Sequence, residues 1–321
     1  MKKIKQAGVL GAFLMLSQLL IAQQVPSTEE NFTYLVTFGK KADKSHGDDD
    51  FSQVIFFVIP TSQKNPVYIR VFDADCGGKN DEMYGSEETK TKFIVLGGKG
   101  AHSNKDARKL DPTGEYKSGT ELYSKTVGQS DKLDNDWLTF GPINPSSGEL
   151  IPELGGNVFK LVVDGVSGQS GNLYKLFLST SATSNNAVEG GNAFTYEYCV
   201  RMSEKKTVVS HLYPFISKSV VKVKISVFDY DNDGIIRLVS VSKKGSVSKS
   251  SGDDQWKEHE FTVTEDEKNT SLDIQFVKQG DSKNNNIVIN ITNQYGESMP
   301  FYTSPIGGVP KYKSKIGVKA D

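Results

Sequence analysis

The stretch Val221-Lys-Val-Lys-Ile-Ser-Val-Phe-Asp-Tyr-Asp-Asn-Asp-Gly234 carries the fold in its first half and a candidate site in its second. Val221, Val223, Ile225 and Val227 alternate with Lys222, Lys224 and Ser226. A period of two puts one set on each face of a pleated strand, so this segment predicts a half-buried strand of an antiparallel sheet. The alternation recurs at Phe194, Tyr196, Tyr198 and Val200, at Leu272, Ile274 and Phe276, and at Ile287, Ile289 and Ile291. Residues 54–59, 67–72 and 93–96 are apolar on both faces and read as central strands. Turn pairs such as Gly97-Gly98, Asp164-Gly165 and Gly190-Gly191 separate the runs, and no useful amphipathic helical period interrupts them. The expected fold is all-β: two tandem antiparallel β-sandwich domains after a cleaved signal peptide.

The 321 residues hold 38 Lys+Arg against 39 Asp+Glu, a net charge of −1. That balance argues against a nucleic-acid partner, which would call for a basic excess. Two cysteines exclude a disulfide-rich scaffold. Export permits a bond between Cys76 and Cys199, with two free thiols as the alternative. At the N-terminus, Lys2, Lys3 and Lys5 precede an apolar run over 7–21 and the small Ala22. This is the layout of a secretory signal peptide over 1–22, too short and interrupted for a membrane span. No other segment reaches the ~20 apolar residues of a span. Cleavage leaves 35 basic and 39 acidic residues, a net charge of −4. The basic start and Ala22-Gln-Gln24 resemble exported proteins of Bacteroidota, which implies the periplasm, the outer cell surface or the extracellular space.

The polar, Gly-rich run over 181–192 marks a boundary or a long connection. The expected units are 23–204 and 205–310, followed by a basic tail over 311–321. An internal echo supports two units. Ile69-Arg-Val-Phe-Asp-Ala-Asp75 and Ile225-Ser-Val-Phe-Asp-Tyr-Asp231 agree at five of seven positions, 156 residues apart. The alternative is convergence of two strands that end in acidic loops.

Both echoes run into candidate metal sites. Asp229, Asp231 and Asp233 place alternate carboxylates before Gly234, a spacing that lets oxygens converge on a hard cation such as Ca²⁺. An EF-hand would need Glu at the twelfth position, where Ser240 stands, so the expectation is a strand-flanked loop completed by Asp253 or Asp254. The other reading is an acidic turn open to water. Asp73, Asp75 and Asp81, with Gly85 beyond, lie in a segment that resembles a Ca²⁺ loop of C2-type domains. The companion acidic loop of those domains is not evident. Asp48, Asp49 and Asp50 are candidates for it, and without it phospholipid binding does not carry over. Residues 159–179 resemble hairpins of pre-peptidase C-terminal β-sandwich modules, with Asp164, Ser170 and Asn172 as polar candidates on an otherwise plain long hairpin.

Trp137 follows Asp134-Asn-Asp136 and Trp256 follows Asp253-Asp254-Gln255, an arrangement that can offer aromatic platforms to a glycan or serve as core or rim. Catalytic motifs are missing: four histidines stand far apart, and Gly280-Asp281-Ser282 lacks the glycine of a serine-protease signature. The expectation is an exported, non-catalytic binding or surface-assembly protein, stabilised by Ca²⁺, with a cell-surface or outer-membrane protein or a glycan as partner. Its rivals are a carbohydrate-binding accessory protein, a component of an outer-membrane secretion or gliding apparatus, and a hydrolase with an unrecognised site.

Overall fold

The computed structural model describes residues 24–110, 116–130, 132–280 and 286–313. The stretch expected to be a signal peptide, Asp281 and Ser282, and the tail beyond Lys313 lie outside them. Antiparallel strands dominate, and the only helices among the described residues are five 3-10 turns of three or four residues.

Two sets of eight strands follow one another. The first is β1 (Tyr34–Phe38), β2 (Ser52–Pro60), β3 (Val67–Phe72), β4 (Lys90–Gly97), β5 (Thr120–Val127), β6 (Trp137–Ile143), β7 (Gly156–Ser167) and β8 (Gly171–Ser179). The second is β9 (Glu197–Arg201), β10 (Val209–Leu212), β11 (Lys222–Phe228), β12 (Gly234–Val239), β13 (Lys244–Lys249), β14 (Trp256–Thr262), β15 (Asp273–Lys278) and β16 (Asn286–Asn293). In the first set β1-β8-β3-β6 form one sheet and β2-β7-β4-β5 the other. In the second set the orders are β9-β16-β11-β14 and β10-β15-β12-β13. Each order is the first with eight added to every number. Both are the double Greek-key arrangement of a jelly roll.

The two sets share a sheet. β9 pairs with β1 through Val200↔Leu35 and Arg201↔Tyr34, so one continuous sheet runs from β14 to β6. The C-terminal strand Phe301–Tyr302 returns to pair with Thr195 and Phe194. One core extends through both sets: Val71, Tyr174 and Tyr198 belong to the same buried cluster as Ile225, Phe276 and Ile289.

The opening stretch behaves as its alternation dictates. Val223, Ile225 and Val227 are fully buried, while Lys222 and Lys224 reach Glu260 and Glu258 on the outer face at 2.8 and 2.6 Å. Val221 stands just before the strand and is half exposed. Two local readings change. The run over 194–201 is two strands in different sheets, because the Thr195 hydroxyl bonds the carbonyls of Val54 and Glu197 and turns the chain there. The strands at Gly156–Ser167 and Gly171–Ser179 do not pair with each other. The chain crosses from one sheet to the other between them, so the expected hairpin is an arch.

Candidate cation sites at two acidic junctions

The Val-Phe-Asp-x-Asp copies end equivalent strands, β3 and β11. In each, the phenylalanine pairs with a tryptophan on the neighbouring edge strand, Phe72 with Trp137 and Phe228 with Trp256. The ring centroids lie 5.3 and 5.5 Å apart. The next residue makes a clasp. Asp73 N–H donates to the Asp136 carbonyl at 2.9 Å, and Asp229 N–H to the Gln255 carbonyl at 3.3 Å. Asp73 Oδ1 accepts from Asn135 N–H at 2.8 Å, and Asp229 Oδ1 from Asp254 N–H at 2.7 Å. Asp73, Asn135, Asp229 and Asp254 have left-handed φ values of 59°, 56°, 57° and 49°. Asp and Asn tolerate that region best among residues with a Cβ. The sequence echo therefore corresponds to one structural device built twice.

Beyond the clasp the junctions differ. At the second, Asp229, Asp231 and Asp253 each bring a carboxylate oxygen within 4.8 Å of the other two. Asp229 is 4% exposed, whereas Asp231 and Asp253 face solvent. Burial pushes the Asp229 carboxyl up to about 7, the Asp254 N–H opposes this, and the charges of Asp231, Asp253 and Asp254 add to it. Burial and the Asp253 charge also raise Asp231. Such a group repels itself when ionised, and a divalent cation converts that repulsion into a cross-link. Asp233 stands apart from the group: its Oδ2 is 3.8 Å from the buried Lys278 Nζ.

At the first junction the carboxylates are spent on amides. Asp81 accepts from the N–H groups of Gly77, Leu173 and Gly78 at 2.8, 2.8 and 3.1 Å. Burial still lifts it to about 7, against those three bonds. Asp73 Oδ2 accepts from the Asn80 amide at 2.6 Å, and the same amide nitrogen lies 2.9 Å from Asn135 Oδ1. Asp75 Oδ2 accepts from Ser130 N–H at 2.9 Å, leaving Oδ1 buried with no partner among the described residues. Burial raises its pKa. Asp73, Asp75 and Asp81 do not meet within 4.8 Å as a group. Asn80 supplies a side-chain donor to Asp73, whereas at the second junction the Lys278 charge acts on Asp231 and opposes its raised pKa.

Asp48, Asp49 and Asp50 form the other close acidic group. Asp48 accepts from the N–H groups of Phe38 and Phe51 at 2.7 and 2.8 Å, and Asp50 from Ser52 N–H at 2.9 Å. Burial pushes Asp50 up to about 7, and the Asp49 charge adds to it. Burial also raises Glu197, which feels Asp50, Asp49 and Asp48 in turn. This group sits where β9 joins the halves, a placement the sequence left open.

The remaining candidates serve the scaffold. Ser170 Oγ donates to the Tyr84 carbonyl, the Asn172 amide to Ala74 O and Thr91 Oγ1, and Asp164 pairs with Lys117 at 2.5 Å. Cys76 and Cys199 are buried free thiols. Trp137 packs on Phe72 and lies under the Arg70 guanidinium, 4.6 Å from the ring centre. His102 Nε2 lies 2.9 Å from the Tyr196 hydroxyl, and burial pulls its pKa down to about 4. His211 Nδ1 lies 2.7 Å from Asp273 Oδ1. No helix among the described residues is long and apolar enough to cross a membrane. The sequence matches no family model and no curated protein.

Proposed function

We propose that the chain is an exported, non-catalytic double jelly roll that acts in binding or cell-surface assembly, with Ca²⁺ closing the junction at Asp229, Asp231 and Asp253. The convergence of those three carboxylates at a strand end carries the reading. Carboxylate oxygens are hard ligands, and Ca²⁺ accepts an irregular set completed by backbone oxygens and water. The ion's task is structural, tying the end of β11 to the turn before β14. The resemblance to C2-type domains enters as a family of sandwiches that hold Ca²⁺ in inter-strand loops. The glycan-platform reading is weaker for Trp137, whose ring packs on Phe72 and lies under Arg70, than for Trp256, which is 41% exposed.

Thermal unfolding of the chain without its signal, in Ca²⁺ and in chelator, tests the proposal. At a Ca²⁺ concentration a hundredfold above Kd the native state gains about 2.7 kcal/mol, which raises the midpoint by several degrees. Asp229→Asn with Asp231→Asn removes the rise. Equal midpoints for the unaltered chain in Ca²⁺ and chelator overturn the proposal.

A further inference from the structure

The geometry points to a binding site for a neutral saccharide in the cleft beside the β1–β9 seam, bordering the first junction through Asn80 and Asp81 and separate from the carboxylate group at Asp229. The cleft has a volume of about 620 Å³, within the range of small-molecule sites, and lies where the two jelly rolls meet. Its floor is the outer face of the shared sheet, where Arg201 on β9 stands opposite Tyr34 on β1 and Asn286 on β16. One wall is the 79–84 loop and the other the chain after β9.

Two features select the ligand. First, polar groups are held rigid on one side and left uncommitted on the other. Arg201 donates from Nε to Asn286 Oδ1 at 2.9 Å and from Nη2 to Glu82 Oε1, while Asn286 donates to the same Glu82 oxygen at 2.7 Å. Arg201 Nη1 carries no bond among the described residues. Asn80 gives its amide nitrogen to Asp73 and Asn135 and keeps Oδ1 free among those residues. The hydroxyls of Thr33 and Tyr34 are likewise unused there. A guanidinium nitrogen, an amide oxygen and two hydroxyls offer both donors and acceptors, already positioned, to a ligand rich in hydroxyl groups. The Tyr34 ring, held by Lys175 with Nζ 4.7 Å from its centre, adds an aromatic surface.

Second, the charges cancel. Arg201 is neutralised by Glu82, whose side chain is 5% exposed, and the remaining charged residues of the lining include both signs. An anion would meet a paired guanidinium, and an apolar ligand would strand the free polar atoms. A neutral, polyhydroxylated ligand satisfies them.

The test is a glycan array followed by calorimetry, using the chain without its signal. The probes are fragments of β-glucan, α-glucan, xylan and mannan, with polygalacturonate and alginate as acidic comparisons. The expected result is binding to at least one neutral fragment, weakened about tenfold or more by Tyr34→Ala and by Asn80→Ala, and unchanged by Trp256→Ala. Tyr34→Phe and Thr33→Val each remove one hydrogen-bonding hydroxyl and weaken binding even if the alanine variants fail to fold. No neutral fragment bound, acidic fragments alone bound, or affinity unaffected by Tyr34→Phe and Thr33→Val overturns the inference.

Discussion

The junctions at Asp73 and Asp229 share a strand end, a tryptophan neighbour, a backbone clasp and left-handed aspartates, yet they resolve their charge in opposite ways. The first recruits donors from its own chain: Asn80 to Asp73, Ser130 to Asp75, and three backbone N–H groups to Asp81. The second keeps Asp231 and Asp253 beside Asp229 and, in the proposed reading, takes its positive charge from solution. A motif read by spacing alone treats the two as equals. The difference lies in Asn80 and Asp81, residues the first junction gains from its longer loop.

The largest expected effect comes from breaking the self-sufficient junction. Asp81→Ala leaves three backbone N–H groups without their acceptor, at a cost of about 3 kcal/mol in denaturant unfolding, and Ca²⁺ does not restore the loss. A loss fully restored by Ca²⁺ would show that the first junction also depends on an ion.

Next comes pH. Glu30, Asp81 and Asp229 have folded pKa values of about 8, 7 and 7, raised by burial from 4.5, 3.8 and 3.8. Each holds its proton more tightly when folded. Their contribution is therefore complete below the unfolded values and is lost as pH rises through 7 to 8. In chelator, the urea midpoint is expected to be higher at pH 5.5 than at pH 8. Ca²⁺ removes the share due to Asp229 and leaves that of Asp81 and Glu30. A midpoint that rises with pH in chelator contradicts the sign.

Asn80→Asp converts the first junction into a second acidic one. It costs about 1–2 kcal/mol in chelator, and Ca²⁺ recovers most of it. Equal losses with and without Ca²⁺ would mean that Asn80 does more than stand in for a cation. The smallest effect tests the clasp: Asn135→Gly and Asp254→Gly relieve a left-handed φ and shift stability by less than about 1 kcal/mol. A much larger loss at one position would break the equivalence of the two junctions.

Much of the fold was legible because period-two alternation is a direct consequence of half-burial. Val223, Ile225 and Val227 point into the core as their spacing requires. The duplication was legible in only seven residues, since strand order is set by long-range pairing that leaves no local mark. Tyr196 shows the limit: the alternation continues through it, but the Thr195 hydroxyl turns the chain and sends the two halves of the run into different sheets. At the site, Asp229 and Asp231 were readable from spacing, and Asp253 only as one of two candidates, with Asp254, to complete the loop. That Asp233 would face Lys278 was not, because Lys278 lies far along the sequence on β15. The cleft was hidden for the same reason, being assembled from β1, the 79–84 loop and β9.

The most direct measurement of the central claim is an anomalous-scattering experiment on crystals grown in Ca²⁺, with a terbium soak as the stronger scatterer. A single peak enclosed by Asp229, Asp231 and Asp253, with none beside Asp73, is the predicted map. A peak at Asp73 and none at Asp229, or no peak at either junction, would contradict it.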